Sequence, residues 1–297
     1  MNKKNNCFVV VDMLYILMMI LPIVAGIIIK ILTSPLAQGI HISGAQIYLR
    51  VPMPVQELII TSAQINSWLV VISVFGLCLF LTHGLSTDHP DNRQHLAEWL
   101  VEKTEGLVKQ NMGEYFSGFA PFIASVIALS AFSSLLSLVG LFPPTSDLNV
   151  VAGWAVVSFI LIMYYKLKCG PVHYIKSLAS PVLLTPLNVI SEIATPVSMA
   201  FRHYGNVLSG SVISVLVAAG LQGLSNILLG WLPGFLGEIP LLGIGIPAVL
   251  SIYFDVFSGC LQAYIFAMLT MMYVADGFPM DEYFKKIKKK KTNQEVV

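Results

Sequence analysis

Charge is what this chain has least of. Of its 297 residues only 11% are Asp, Glu, Lys or Arg, against roughly 25% in a soluble domain, while 56% are hydrophobic and the mean hydropathy is +0.78. That composition excludes a soluble globular fold and places the chain in a bilayer. The polar intervals between apolar runs are too short to fold alone, so residues 1–297 form a single integral membrane domain. Cysteine is also sparse: Cys7, Cys78, Cys169 and Cys260 show neither CxxC nor metal-ligand spacing, and three lie in or at the ends of apolar runs. No metal or other cofactor is implied. A GxxxxGK[ST] loop is missing, which excludes that form of phosphate chemistry. No internal repeat, low-complexity tract or basic, aromatic surface for nucleic acid is visible. The clustered acids or histidines of a membrane-embedded transferase are likewise missing.

The few cations are placed unevenly. They collect at Lys3 and Lys4, at Lys166 and Lys168, and in the tail KKIKKKK from Lys285 to Lys291. Such clusters mark cytoplasmic ends, and the tail, residues 277–297, reads as a topology anchor against anionic lipid.

Apolar windows of spanning length, about 20 residues, occur six times. The first runs from Phe8 to Ile29 behind a basic leader; its apolar run is long for a signal peptide and no A-x-A site follows cleanly, so it reads as a retained helix. The second covers Trp68 to Leu85 and the third Phe119 to Phe142. After the polar turn PTSDLN comes the fourth, Val151 to Tyr165. The fifth extends from Val172 to Leu229, punctuated by Pro181, Pro186 and Pro196, and the sixth from Pro240 to Val274. Prolines in a span free backbone groups that protein or water must satisfy, and helices this long must tilt. LLGWLPGFLGEIP, Leu228 to Pro240, reads as the turn between them. Six spans put both termini in the cytoplasm, in agreement with the cation clusters. Between the second and third spans, Leu96, Trp99, Leu100 and Leu107 recur at helical spacing, and Glu105 and Lys109 can pair. An amphipathic helix on the cytoplasmic face follows.

Against this background Arg202 stands out as the only Lys or Arg between Lys176 and Lys285. A cation at membrane depth costs a few kcal/mol, so it calls for a function. Each helical residue advances about 100°, which puts Thr195, Asn206 and Ser209 on the face of Arg202, with Glu192 nearby. On the sixth span Asp255, Ser258 and Gln262 form a second polar stripe. Two such helices facing each other could line an ion path. Other readings of the same residues are a buried Arg202–Asp255 ion pair, Glu192 at a membrane surface, and interhelical hydrogen bonding by Asn206 and Gln262. An anion transporter or channel with a midplane arginine remains an alternative, although such folds often show repeats and broken helices in corresponding halves.

PVSMAFRHYGNVLSG, residues 196–210, resembles the arginine-bearing motif of the a subunit of the membrane sector of bacterial F-type ATP synthase, and DVFSGCLQAYIF, residues 255–266, resembles that family's acid-to-glutamine signature. The PTSDLN turn and the amphipathic helix also match, and the likeness covers roughly residues 66–276. The span within residues 1–33 is additional to the family pattern.

The resemblance implies an all-α membrane protein with a long, tilted, hairpin-like last pair of spans, and the apolar runs give about six spans in all. It would be non-catalytic itself, a stator subunit in a bacterial plasma membrane that supplies two half-channels to a rotating c ring. Its other partners would be b subunits of the peripheral stalk, the rest of the synthase and the lipid. Arg202 matches the arginine facing the ring's ion-carrying carboxylate, Asp255 a half-channel relay, Glu192 a family acid, and Asn206 and Gln262 polar neighbours of the arginine. Ser211 stands where many members have glutamate. His203 stands where leucine is usual, a candidate substitute relay that points about 100° away from Arg202.

Overall fold

A charge-poor chain in lipid must satisfy its backbone internally, and helices do so. The computed structural model describes residues 2–33, 44–54, 57–87, 90–168, 170–229, 241–280 and 283. Its helices are α1 (Asn2–Thr33), α2 (Ser62–Thr82), α3 (Asn92–Met112), α4 (Ala120–Leu135), α5 (Leu148–Leu167), α6 (Pro171–Leu178), α7 (Thr185–Leu229), α8 (Leu241–Ser251) and α9 (Gly259–Gly277). A π-helical segment, Ile252–Ser258, joins α8 to α9. Six stretches are long and apolar enough to cross a membrane: Val9–Thr33, Ser62–Thr82, Glu114–Val139, Leu148–Leu167, Val182–Ser225 and Gly245–Gly277.

Two departures from the sequence reading concern the long spans. The fifth does not run unbroken from Val172: α6 ends at Leu178, and α7 begins afresh at Thr185. The prolines explain the break, since Pro171 opens α6, Pro181 precedes a short 3-10 turn, and Pro186 occupies the first turn of α7, where no amide hydrogen is needed. Pro196 is tolerated inside α7. The sixth span is interrupted by the π segment, so Asp255, Ser258 and Gln262 do not share one α-helical line. Most of the 228–240 turn lies outside the described residues, as do the basic tail from Phe284 onward and the side chains of Lys3 and Lys4.

In lipid there is little hydrophobic drive between helices, so close packing and small residues hold the bundle together. The principal core joins the end of α3 to α4, α5 and α9 through Val108, Met112, Phe116, Ile123, Ile162, Ala267, Met271 and Val274. Gly259 brings α9 against Ser134 of α4, and Gly76 brings α2 against the backbone of Met18 and Met19 of α1. Asp12 of α1 accepts from Arg93 at 3.1 Å and lies 2.9 Å from His83 Nδ1, fastening α1 to the α2–α3 connection. That carboxylate holds the Arg93 guanidinium above its usual pKa.

The amphipathic helix is present as α3, with Glu105 and Lys109 paired at 3.6 Å. Leu107 of the expected stripe packs against the core beside the buried Val108 and Met112, whereas Leu96, Trp99 and Leu100 are exposed. The PTSDLN turn caps α5, the Asp147 carboxylate accepting from the Asn149 amide at 2.9 Å. At the other end of α5 the Lys168 ammonium donates to the Tyr115 hydroxyl at 2.9 Å and lies among the rings of Tyr115, Tyr165, Phe278 and Tyr283. These contacts raise its pKa. A small antiparallel hairpin, β1 (Ile47–Val51) and β2 (Leu58–Thr61), precedes α2. Its β-branched and aromatic residues favour strands, and the sequence reading did not include it.

Candidate functional site

The site is built on α7, which stands at the side of the bundle. Only 6% of its most apolar window is buried, against 22–28% for α2, α4, α5 and the last span. Ile190, Ile193, Val197, Phe201, Ile213 and Leu216 are exposed along it. In the middle of this apolar face Arg202 is exposed too, and it makes no hydrogen bond or ion pair with any described residue. The alternative of a buried Arg202–Asp255 pair is not what the structure contains. A guanidinium left on an apolar surface at membrane depth is costly without a partner.

One residue further on, the helix turns inward. His203 is fully buried, with Nε2 3.2 Å from the Ser130 hydroxyl on α4 and edge-to-face contacts to Trp154 and Phe266. It faces the bundle interior, as the 100° step from Arg202 requires. Asn206 joins α7 to the end of the π segment: its Nδ2 donates to the Ser258 carbonyl at 3.3 Å, and the Ser258 hydroxyl donates back to its Oδ1 at 3.0 Å. Ser211 donates to the Leu208 carbonyl of its own helix at 2.8 Å.

The three polar residues expected to form one stripe on the last span are divided among different neighbours. Asp255 is half-buried on the segment that packs against the Leu136–Val139 turn just past α4, where the Ser137 hydroxyl donates to the Ser134 carbonyl at 2.7 Å. Ser258 binds Asn206. Gln262 is buried, and its Nε2 has no hydrogen-bond partner among the described residues. The π segment causes this division because i→i+5 bonding changes the angular step between Asp255 and Gln262.

Glu192 accepts from the Lys166 ammonium at 2.5 Å. Both line a half-open cleft of about 540 Å³, together with Tyr174, Asn188, Thr195 and Asp276. Burial, with Glu192 nearby, pushes the Tyr174 phenol up. Thr195 is on the Arg202 face two turns earlier, so this cleft approaches the arginine from one end of the bundle. A second cleft, of about 270 Å³, lies on the side of the hairpin and is lined by Lys30, Gln46, Tyr48, Ser62, Asn66 and Ser137 among others. Ser137 links it to Asp255. Lys166 and Ser137 were missed as site residues. In sequence Lys166 stands only as a cytoplasmic-end cation, and nothing in the spacing ties it to a residue two helices later. Among the described residues no three His, Cys, Asp or Glu side chains converge as metal ligands.

Six membrane-crossing helices, an arginine on an apolar flank with no partner among the described residues, and two polar clefts lined by different helix ends define a multi-pass membrane subunit of the ion-translocating kind. The family model for the ATP synthase A chain matches residues 64–275. The chain belongs to this family, that of the non-catalytic stator subunit through which ions cross the membrane sector of the bacterial F-type ATP synthase. It is similar to ATP synthase subunit a of Legionella pneumophila, with 27% identity covering 75% of this chain and 89% of the relative. The like-named protein of Desulforamulus reducens is 33% identical over 71% of this chain and 77% of its own length. That of Moorella thermoacetica is 28% identical over 80% and 97% respectively. All of α1 and the hairpin precede the family-matched region.

Proposed function

We propose that Arg202 is the fixed cation facing the ion-carrying carboxylate of a rotating c ring, and that the two clefts are the inner and outer half-channels on either side of it. The observation that carries this is the unpartnered Arg202 on the least buried span. Its charge favours the ionised carboxylate as that group passes and bars direct flow between the clefts. Each elementary charge crossing 100 mV releases about 2.3 kcal/mol, which a leak past Arg202 would dissipate.

The cleft at Lys166 and Glu192 opens toward the cytoplasm, where the positive-inside rule places Lys166, Lys168 and both termini. The second cleft reaches Asp255 from the outer face. Asn206 fixes the helix that carries Arg202, Gln262 supplies an amide in the same sector, and Asp255 relays the ion, proton or sodium. Ser211 contributes a hydroxyl where many relatives have an acid, and His203 packs the interior. The ring, the b subunits, the rest of the synthase and lipid complete the surroundings in a bacterial plasma membrane.

The test is Arg202→Ala in inverted membrane vesicles. Ion-driven ATP synthesis should vanish while ATP hydrolysis by the detached soluble head persists; normal coupled synthesis would overturn the proposal. A transporter with a midplane arginine, the other reading, would not co-purify with a c ring.

A further inference from the structure

Lys30 lies near the end of α1, in a helix that precedes the family-matched region. Its exposed ammonium donates to the carbonyl of Gly140, just past the 3-10 turn Leu136–Val139 that follows α4. Gly140 ends that turn in the left-handed conformation, with φ +76°, and a Cβ there would come within 3.3 Å of the ammonium. Lys30 lines the 270 Å³ cleft with Gln46, Tyr48, Asn66 and Ser137, and it is the only charged side chain among the described lining residues. Ser137 lines the cleft on the turn that packs against the π segment carrying Asp255. A helix additional to the matched region thus puts a positive charge in a polar cleft that extends to Ser137, on the turn packed against the segment of Asp255.

We infer that Lys30 is an electrostatic lining residue of the outer half-channel, lowering the local concentration of cations before they reach Asp255. This rests on the half-channel reading above. Such a charge repels an approaching cation and attracts an anion, by an amount that solvent screening limits to several-fold rather than to blockade. Lys30 is a positioning residue for the ion's approach and does not itself bind the transported ion.

The test uses the whole synthase in membrane vesicles, with the four native cysteines replaced and Gln46→Cys as reporter. Reaction rates are compared for a cationic methanethiosulfonate (trimethylammonioethyl) and an anionic one (sulfonatoethyl). With Lys30 present the anionic reagent should be favoured; Lys30→Gln should lower the anion-to-cation rate ratio by about three- to tenfold, Lys30→Glu should lower it further, and Lys30→Arg should preserve it. Lys30→Gln should also reduce the external ion concentration needed for half-maximal ATP synthesis, with the saturated rate unchanged. Co-purification with the c ring confirms assembly of each variant. A rate ratio indifferent to Lys30→Gln and Lys30→Glu, or a reporter that reacts with neither reagent, overturns the inference. If Arg202→Ala still abolishes coupling in that case, only the role of Lys30 falls. If Arg202→Ala leaves coupling intact, the half-channel reading itself fails.

Discussion

Gly259→Ala should damage this protein more than any other single added methyl discussed here. The new Cβ would lie 2.5 Å from Ser134 Cβ and 2.8 Å from its hydroxyl. Carbon atoms rest about 3.5–4.0 Å apart, so α9 and α4 would have to part by about 1 Å. Ser134 cannot rotate out of the way, because its Cβ is fixed to the α4 backbone; its hydroxyl already donates to the Ser130 carbonyl at 3.2 Å. The displacement falls on Ser258, the adjacent residue, whose bonds to Asn206 measure 3.0 and 3.3 Å. Lengthened by about 1 Å, both leave hydrogen-bonding range. Overpacking costs about 1–3 kcal/mol, and each lost bond adds about 0.5–1.5 kcal/mol. The heat-induced dissociation temperature of the purified synthase should fall, and ATP-driven pumping in inverted vesicles should drop sharply, because Asn206 lies one turn from Arg202. Ser134→Gly, which deletes the clashing atoms, should restore pumping to the Gly259→Ala variant despite its own helix-propensity cost of about 1 kcal/mol. Ser134→Ala should not, since its Cβ remains. Normal pumping by Gly259→Ala, or no rescue by Ser134→Gly, would refute the reasoning.

Two further outcomes follow from the polar groups. Glu192→Gln leaves the Lys166 ammonium unbalanced in a partly buried cleft, and removing a charged hydrogen-bond partner costs about 1.5–3 kcal/mol. The pair Glu192→Gln with Lys166→Met should therefore be more stable than the two single effects sum to, in a double-mutant cycle read by thermal dissociation. Strict additivity would mean that the contact carries no energy. His203→Leu should keep ATP-driven pumping near the parent rate, because the ring packs between Ser130, Trp154 and Phe266 rather than on the Arg202 face. His203→Ala should lower the dissociation temperature by opening a cavity. Abolished pumping in an assembled His203→Leu variant would instead make the imidazole a relay.

Much of the architecture was legible because lipid imposes strict rules. Apolar runs near 20 residues located the first four spans to within about six residues, whereas the fifth span begins at Val182 rather than Val172; the isolation of Arg202 singled it out as a candidate without any knowledge of its surroundings. The 100° step was enough to send His203 inward and Arg202 outward. Periodicity failed where the backbone left the α-helix. The Asp255–Ser258–Gln262 stripe assumed uniform helical geometry, and no residue in Ile252–Ser258 announces i→i+5 bonding. Of the α3 stripe, Leu107 packs on the core while Leu96, Trp99 and Leu100 do not, because these residues look no different in sequence from the residues that dock, Val108 and Met112. Lys166 with Glu192, and Lys30 with Gly140, are pairs formed by helix packing, at separations that no local pattern encodes.

The π segment Ile252–Ser258 amounts to one surplus residue stored within a helix. Removing a residue between Asp255 and Ser258 would hardly change the length of the span, but would swing everything upstream by about 100° around the axis, carrying Asp255 away from Ser137 while the junction of Ser258 with Asn206 stayed in place. Substitution at residue 255 changes the chemical group there; insertion or deletion beside it changes where that group points. The chain therefore carries an angular adjustment between its hairpin-side cleft and its arginine that is separate from the chemistry of either.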